Sequence, residues 1–152
     1  MYRVEPLSHT ADVGYEITAD SLSELFVGAA AGLVRALRPD AGEETGALPD
    51  AGGPGGGGGG GEETLSLEGP DRERLLVAWL RELLYRMDGG DRVPAGLDVR
   101  MTGPSALRAR IRWSEAGAGE APEREIKGVT YHGLHVGEDE EGRWHARLVL
   151  DV

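Results

Sequence analysis

From Leu22 onward apolar side chains recur at Leu25, Phe26, Ala29, Ala30, Leu33, Val34 and Leu37, a spacing of three and four that gathers them on one helix face. Ser21 and Glu24 form the S-x-x-E pair of a capping box ahead of them, and Pro39 ends the run. A second run, Leu75, Leu76, Trp79, Leu80, Leu83, Leu84 and Met87, follows Pro70 and the cap residue Asp71, and Asp88-Gly89-Gly90 stops it. Elsewhere the period is two. Leu107, Ala109, Ile111 and Trp113 alternate with Arg108, Arg110 and Arg112, and Trp144, Ala146, Leu148 and Leu150 repeat the pattern, as strands covered on one side require. Shorter strand candidates are Tyr2 to Glu5, Tyr15 to Thr18, Thr64 to Leu67, Leu97 to Met101 and Leu134 to Val136. Strands that cluster rather than alternate with helices predict an α+β fold of largely antiparallel sheet.

The helices are separated by Pro39 to Glu63, where nine of the ten positions from Gly52 to Gly61 are glycine. Polyglycine loses much backbone entropy on ordering and buries no side chain, so a flexible insertion in one domain spanning residues 1–152 is expected. No Gly-Lys-Ser/Thr follows the glycines, which argues against a phosphate cradle. The insertion also carries the charge. Of the formal net charge of −11, the segment 39–69 contributes seven acids and no base, and the flanking parts are close to balance. A broad basic stripe for nucleic acid is therefore not expected, and no direct DNA binding.

Composition removes further classes. With no cysteine there is no disulfide framework, thiolate zinc site or cysteine nucleophile. The longest apolar run, Leu75 to Leu80, is far short of the ~20 residues of a membrane span. The opening residues carry no export or transit pattern, so a cytoplasmic protein is expected.

Three stretches hold candidate chemistry. His9-Thr10-Ala11-Asp12-Val13-Gly14 lies between two strand candidates, and its plainer account is a turn in which Asp12 accepts nearby amides. Lys127 to Gly133 sets the single lysine among Thr130, Tyr131 and His132, and its plainer account is a surface hairpin. At the end of the chain Asp151 is followed by Val152, whose α-carboxylate makes a second acidic group beside it. Such ends often fray. A strand that buries Leu148 and Leu150 would fix this one, and a fixed pair of carboxylates suits a hard cation.

Read without further help, these residues also admit a small metal-dependent hydrolase with His9 or His132 as base, or a general chaperone or adaptor. Arg108, Arg110 and Arg112 share one strand face but have no aromatic platform beside them, so a solvated face is the plainer account.

Taken in order, HTADVG, the capped first helix, LLVAWLRELLYRMD, EIKGVTYHGLHV and the closing RWHARLVLDV resemble the archease family over nearly the whole chain. The departures are the polyglycine insertion and Gly128, where alanine is more usual. The resemblance implies an archease-like α+β fold and an accessory protein rather than an enzyme. Archeases assist the RtcB-type RNA ligase of tRNA splicing and RNA repair, promoting its guanylylation and turnover and widening its NTP use. Such a protein would meet tRNA indirectly, mainly through the ligase. By the same resemblance the metal ligands fall on Asp12, Asp151 and the terminal Val152, for Ca2+ with Mg2+ or Mn2+ as substitutes, and Lys127, His9 and His132 are supporting polar residues.

Overall fold

The structure, a computed structural model, describes residues 2–6, 13–37, 61–87, 93–114 and 126–151. In chain order the elements are β1 (Tyr2–Pro6), β2 (Val13–Ala19), α1 (Leu22–Leu37), β3 (Glu62–Glu68), α2 (Arg72–Arg86), β4 (Val93–Gly103), β5 (Ala106–Ser114), β6 (Gly128–Glu138) and β7 (Trp144–Asp151). Two antiparallel sheets form, with strand orders β1-β2-β7-β6 and β3-β5-β4. The helices lie between them. α1 packs on β1, β2 and β7 on one side and on β4 on the other, and α2 packs on α1, β6 and β3. The α+β class expected from the sequence is what forms.

Both helices begin where their caps stand. Ser21 Oγ accepts the Glu24 amide at 3.1 Å, and Asp71 Oδ1 accepts the Arg74 amide at 2.7 Å, each relieving a donor that the first helical turn leaves open. α1, however, is not amphipathic in the expected sense. Gly28, Ala31, Gly32 and Ala36 are buried as well as the apolar face, because this helix forms the middle of three layers and meets a sheet on each side. Small residues permit the approach: a Cβ at Gly28 would stand 2.7 Å from Ile17 Cγ2. The core joins the layers through Trp79, fully buried, whose indole N–H donates to the Phe26 carbonyl at 2.9 Å. Trp113 Nε1 donates to Glu63 Oε1 at 2.6 Å, and Glu63 in turn pairs with Arg86 of α2.

All seven strand candidates form, most of them longer than the alternation indicates. β3 starts at Glu62, so Glu62 and Glu63 belong to the sheet rather than to the glycine segment; 38–60 lie outside the described residues. The stretch 127–133 is not a separate hairpin. From Gly128 it is the first half of β6, interrupted where Tyr131 to Leu134 stand opposite Leu148 alone in the register. Gly133, at φ +67°, supplies the left-handed residue that this wide bulge needs.

Candidate functional site

The chemistry expected at the chain's two ends depends on which strands meet. β7 is central in its sheet, with β2 on one side and β6 on the other. Val13 pairs with Leu150, and Asp151 pairs with Gly128. The amide of Lys127 donates to the carbonyl of Asp151 at 2.7 Å, closing the end of the ladder. The start of β2, the start of β6 and the end of β7 therefore meet at one end of the sheet. The sequence explains why the register holds: Ala146, Leu148 and Leu150 are buried against the helices, and a slip by one residue would turn all three outward.

Alternation along β7 then sets Asp151 on the open face of the sheet, the face that carries His145 and Arg147. Asp151 is exposed, and among the described residues neither its carboxylate nor the exposed Lys127 ammonium has an ion-pair partner. Among the described residues the Asp151 carboxylate is unclaimed, and its carbonyl keeps a second lone pair after accepting from Lys127; both are oxygen donors of the kind a hard cation takes. Asp12, His9 and Val152 lie outside the described residues, as does the side chain of His132; the backbone of His132 lies in the β6 bulge. Among the described residues no three His, Asp or Glu side chains are grouped to hold a metal.

Farther along the same face is a cluster that sequence spacing does not reveal. Arg147 stands between Glu16 and His135 in register, with Arg147 Nη2 at 3.6 Å from Glu16 Oε2. One rung on, His145 opposes Gly137, and a Cβ there would stand 2.9 Å from His135 Nε2, so the His135 ring lies over that glycine. His145 Nε2 is 2.7 Å from Asp139 Oδ2. The other Asp139 oxygen accepts the amides of Glu141 and Arg143 at 2.9 and 3.0 Å. The hydrogen bond with His145 is the main cause holding the Asp139 carboxyl below the usual aspartate range, and the Arg143 amide adds to it. These side chains border a shallow cavity of about 410 Å³ lined by Glu16, Gly133, His135, His145, Ala146 and Arg147. Asp139 in the D-x-x-G turn before β7 is the one sequence signal of the arrangement.

On the second sheet, Arg110 is paired with Glu62 at 2.6 Å, and that bond is the main cause raising its pKa further above the usual range. Arg108 and Arg110 are exposed, as the solvated-face account expects, whereas Arg112 is half-buried with its guanidinium against Gly96.

Comparison with known proteins gives a consistent result. The family model described as Archease protein family (MTH1598/TM1083) matches residues 5–152. A protein archease of Methanopyrus kandleri is 30% identical, with 97% of this chain and 98% of its own length covered. One from Pyrococcus furiosus is 29% identical over the full length of both chains. In fold, the chain is similar to the solution structure of Methanobacterium thermoautotrophicum protein 1598, with a TM-score of 0.67 at 24% identity over 99% of this chain and 98% of that one. It is also similar to the crystal structure of a Thermotoga maritima protein described as an archease, possible chaperone, with a TM-score of 0.57 at 18% identity and 97% and 96% coverage. With a family match over nearly its whole length, relatives that align end to end and the same three-layer fold, the chain belongs to the archease family.

Proposed function

We propose that this protein is an accessory factor, not itself an enzyme, that activates an RtcB-type RNA ligase of tRNA splicing and RNA repair in the cytoplasm. In this reading it promotes guanylylation of the ligase, restores its turnover and widens its NTP use. The observation that supports it most is the meeting of β2, β6 and β7 at one sheet end, where Val13 pairs with Leu150 and Gly128 with Asp151. Position 12 precedes Val13, and position 152 follows Asp151. Asp12, Asp151 and the α-carboxylate of Val152 would hold a divalent cation, calcium first with magnesium or manganese as substitutes, which supplies positive charge for phosphate oxygens. Lys127 brings a mobile cation to the same end, and His9 and His132 add polar contacts. Three carboxylates without a counter-charge repel, so this end presents a strong demand for a cation when it docks at the ligase.

The Thermotoga description as a possible chaperone suggests a general chaperone as a second reading. Among the described residues only Tyr85 and Tyr131 are exposed large hydrophobics, a small apolar surface for partner-independent capture of unfolded chains. The test is formation of guanylylated ligase from GTP and a divalent metal. The parent protein is expected to accelerate it and Asp12→Ala and Asp151→Ala are not; variants that stimulate as well as the parent would overturn the acidic-site reading.

A further inference from the structure

The two exposed large hydrophobics of the described residues flank one arginine. Tyr85 is 81% exposed and Tyr131 is 53% exposed. The Arg81 guanidinium lies over the Tyr131 ring, 5.4 Å from its centroid, and Arg81 Nη2 donates to the Val129 carbonyl at 3.4 Å. Tyr85 stands one helical turn after Arg81, so the two share one face of α2. Tyr131 stands in the bulge of β6, an edge strand, where the interrupted ladder leaves it free to turn toward α2.

Charge distinguishes what this edge binds. Among the described residues Arg81 has no carboxylate partner; Glu82, its neighbour in sequence, pairs with Arg86 at 3.0 Å, and Glu63 is a second partner of Arg86. Lys127, four residues before Tyr131, is exposed and without an ion-pair partner among the described residues. In a chain of net charge −11, Arg81 is a cation with no carboxylate partner among the described residues, set against an aromatic ring. A protein hot spot places its aromatics within a dry apolar core, and no other exposed large hydrophobic among the described residues supplies one here. A nucleobase strand needs less: ring faces to stack on and cations for its phosphates.

We propose that Tyr85, Arg81 and Tyr131 form a stacking site for the unpaired bases of a single-stranded nucleic acid. The site lies a few residues along β6 from the acidic end of the sheet, and it does not depend on the ligase reading. It goes beyond the sequence-based expectation, in which the Arg108 face is solvated and any RNA contact is made mainly by the ligase.

The test is fluorescence anisotropy of a labelled single-stranded oligonucleotide of about 12 nucleotides, as RNA and as DNA, at low salt with the full chain alone. Binding of either strand is expected, weakened at least about fivefold by Tyr85→Ala and retained by Tyr85→Phe and Tyr131→Phe, which keep the ring. Tyr85 is so exposed that its truncation leaves the fold intact, which circular dichroism verifies. A parent protein that binds neither strand, or a Tyr85→Ala variant that binds as the parent does, would overturn the proposal. Loss of ligase stimulation in Tyr85→Ala without any nucleic-acid binding would overturn it too, and would assign the edge to a protein partner.

Discussion

The amide of Lys127 donates to the carbonyl of Asp151 at 2.7 Å, so the chain's one lysine and its penultimate residue are held together by backbone rather than by charge. Substituting either side chain therefore leaves the strand pairing in place. Asp151→Ala and Lys127→Ala are expected to unfold within about 0.5 kcal/mol of the parent, as surface substitutions do, while ligase guanylylation falls. Urea unfolding beside the activation assay separates the two effects.

Appending residues after Val152 converts the α-carboxylate into an amide and moves the charge away. If that group is a ligand, the extended protein is expected to bind calcium more weakly with its melting temperature in the metal-free state unchanged. Calorimetry in the two states measures both.

Gly28 lies against Ile17 and Tyr2, and a Cβ there meets the Ile17 side chain at 2.7 Å. Gly28→Ala is thus expected to destabilise by roughly 1–3 kcal/mol through overpacking, although alanine is the better helix former. A gain in stability in chemical denaturation would show that α1 has room to move from the sheet.

Asp139 sets the pH behaviour of the β6–β7 turn. Its carboxyl pKa is lowered in the fold by His145 and the Arg143 amide. A depressed pKa means that its stabilising contribution is full above the ordinary aspartate value of about 3.9 and is lost as pH falls through the lower folded value. Asp139→Asn is expected to remove that acid-limb dependence. Carboxyl NMR titration should place the Asp139 midpoint below the ordinary value; a midpoint above it would contradict the geometry.

Removing residues 52–60 is expected to change unfolding free energy by less than about 1 kcal/mol, since loop closure costs only ~0.6 kcal/mol per doubling of length. A collapse of the thermal transition on deletion would show that the glycine segment contributes to the fold.

Much of the architecture is legible in sequence because it rests on local chemistry. Ser21 and Asp71 announce their helices, and the alternation of Leu107 to Trp113 announces β5. What is not legible depends on the third dimension. The all-round burial of α1 follows from its place between two sheets, and Gly28 or Ala31 carries no sign of that in a pattern of large apolar residues. The length of β6 is hidden because Gly128, Gly133 and Gly137 break the alternation and a bulge shifts its register. At the site, the run into Asp151 identifies a buried strand, but only the order β2-β7-β6 tells that Val13 and Gly128 are its neighbours. Tyr85 falls off the apolar face of its helix and so reads as exposed, whereas Arg81 over Tyr131 joins residues fifty positions apart and has no local signal.

The central claim is that carboxylates from opposite ends of the chain bind one divalent cation at the sheet end shared by β2, β6 and β7. Isothermal titration of the full-length protein with calcium tests it most directly. One site is predicted for the parent, weakened at least about tenfold by Asp12→Asn and equally by Asp151→Asn, with both variants folded. Calcium binding that survives both substitutions unchanged, or a parent that takes up no divalent cation, would contradict it.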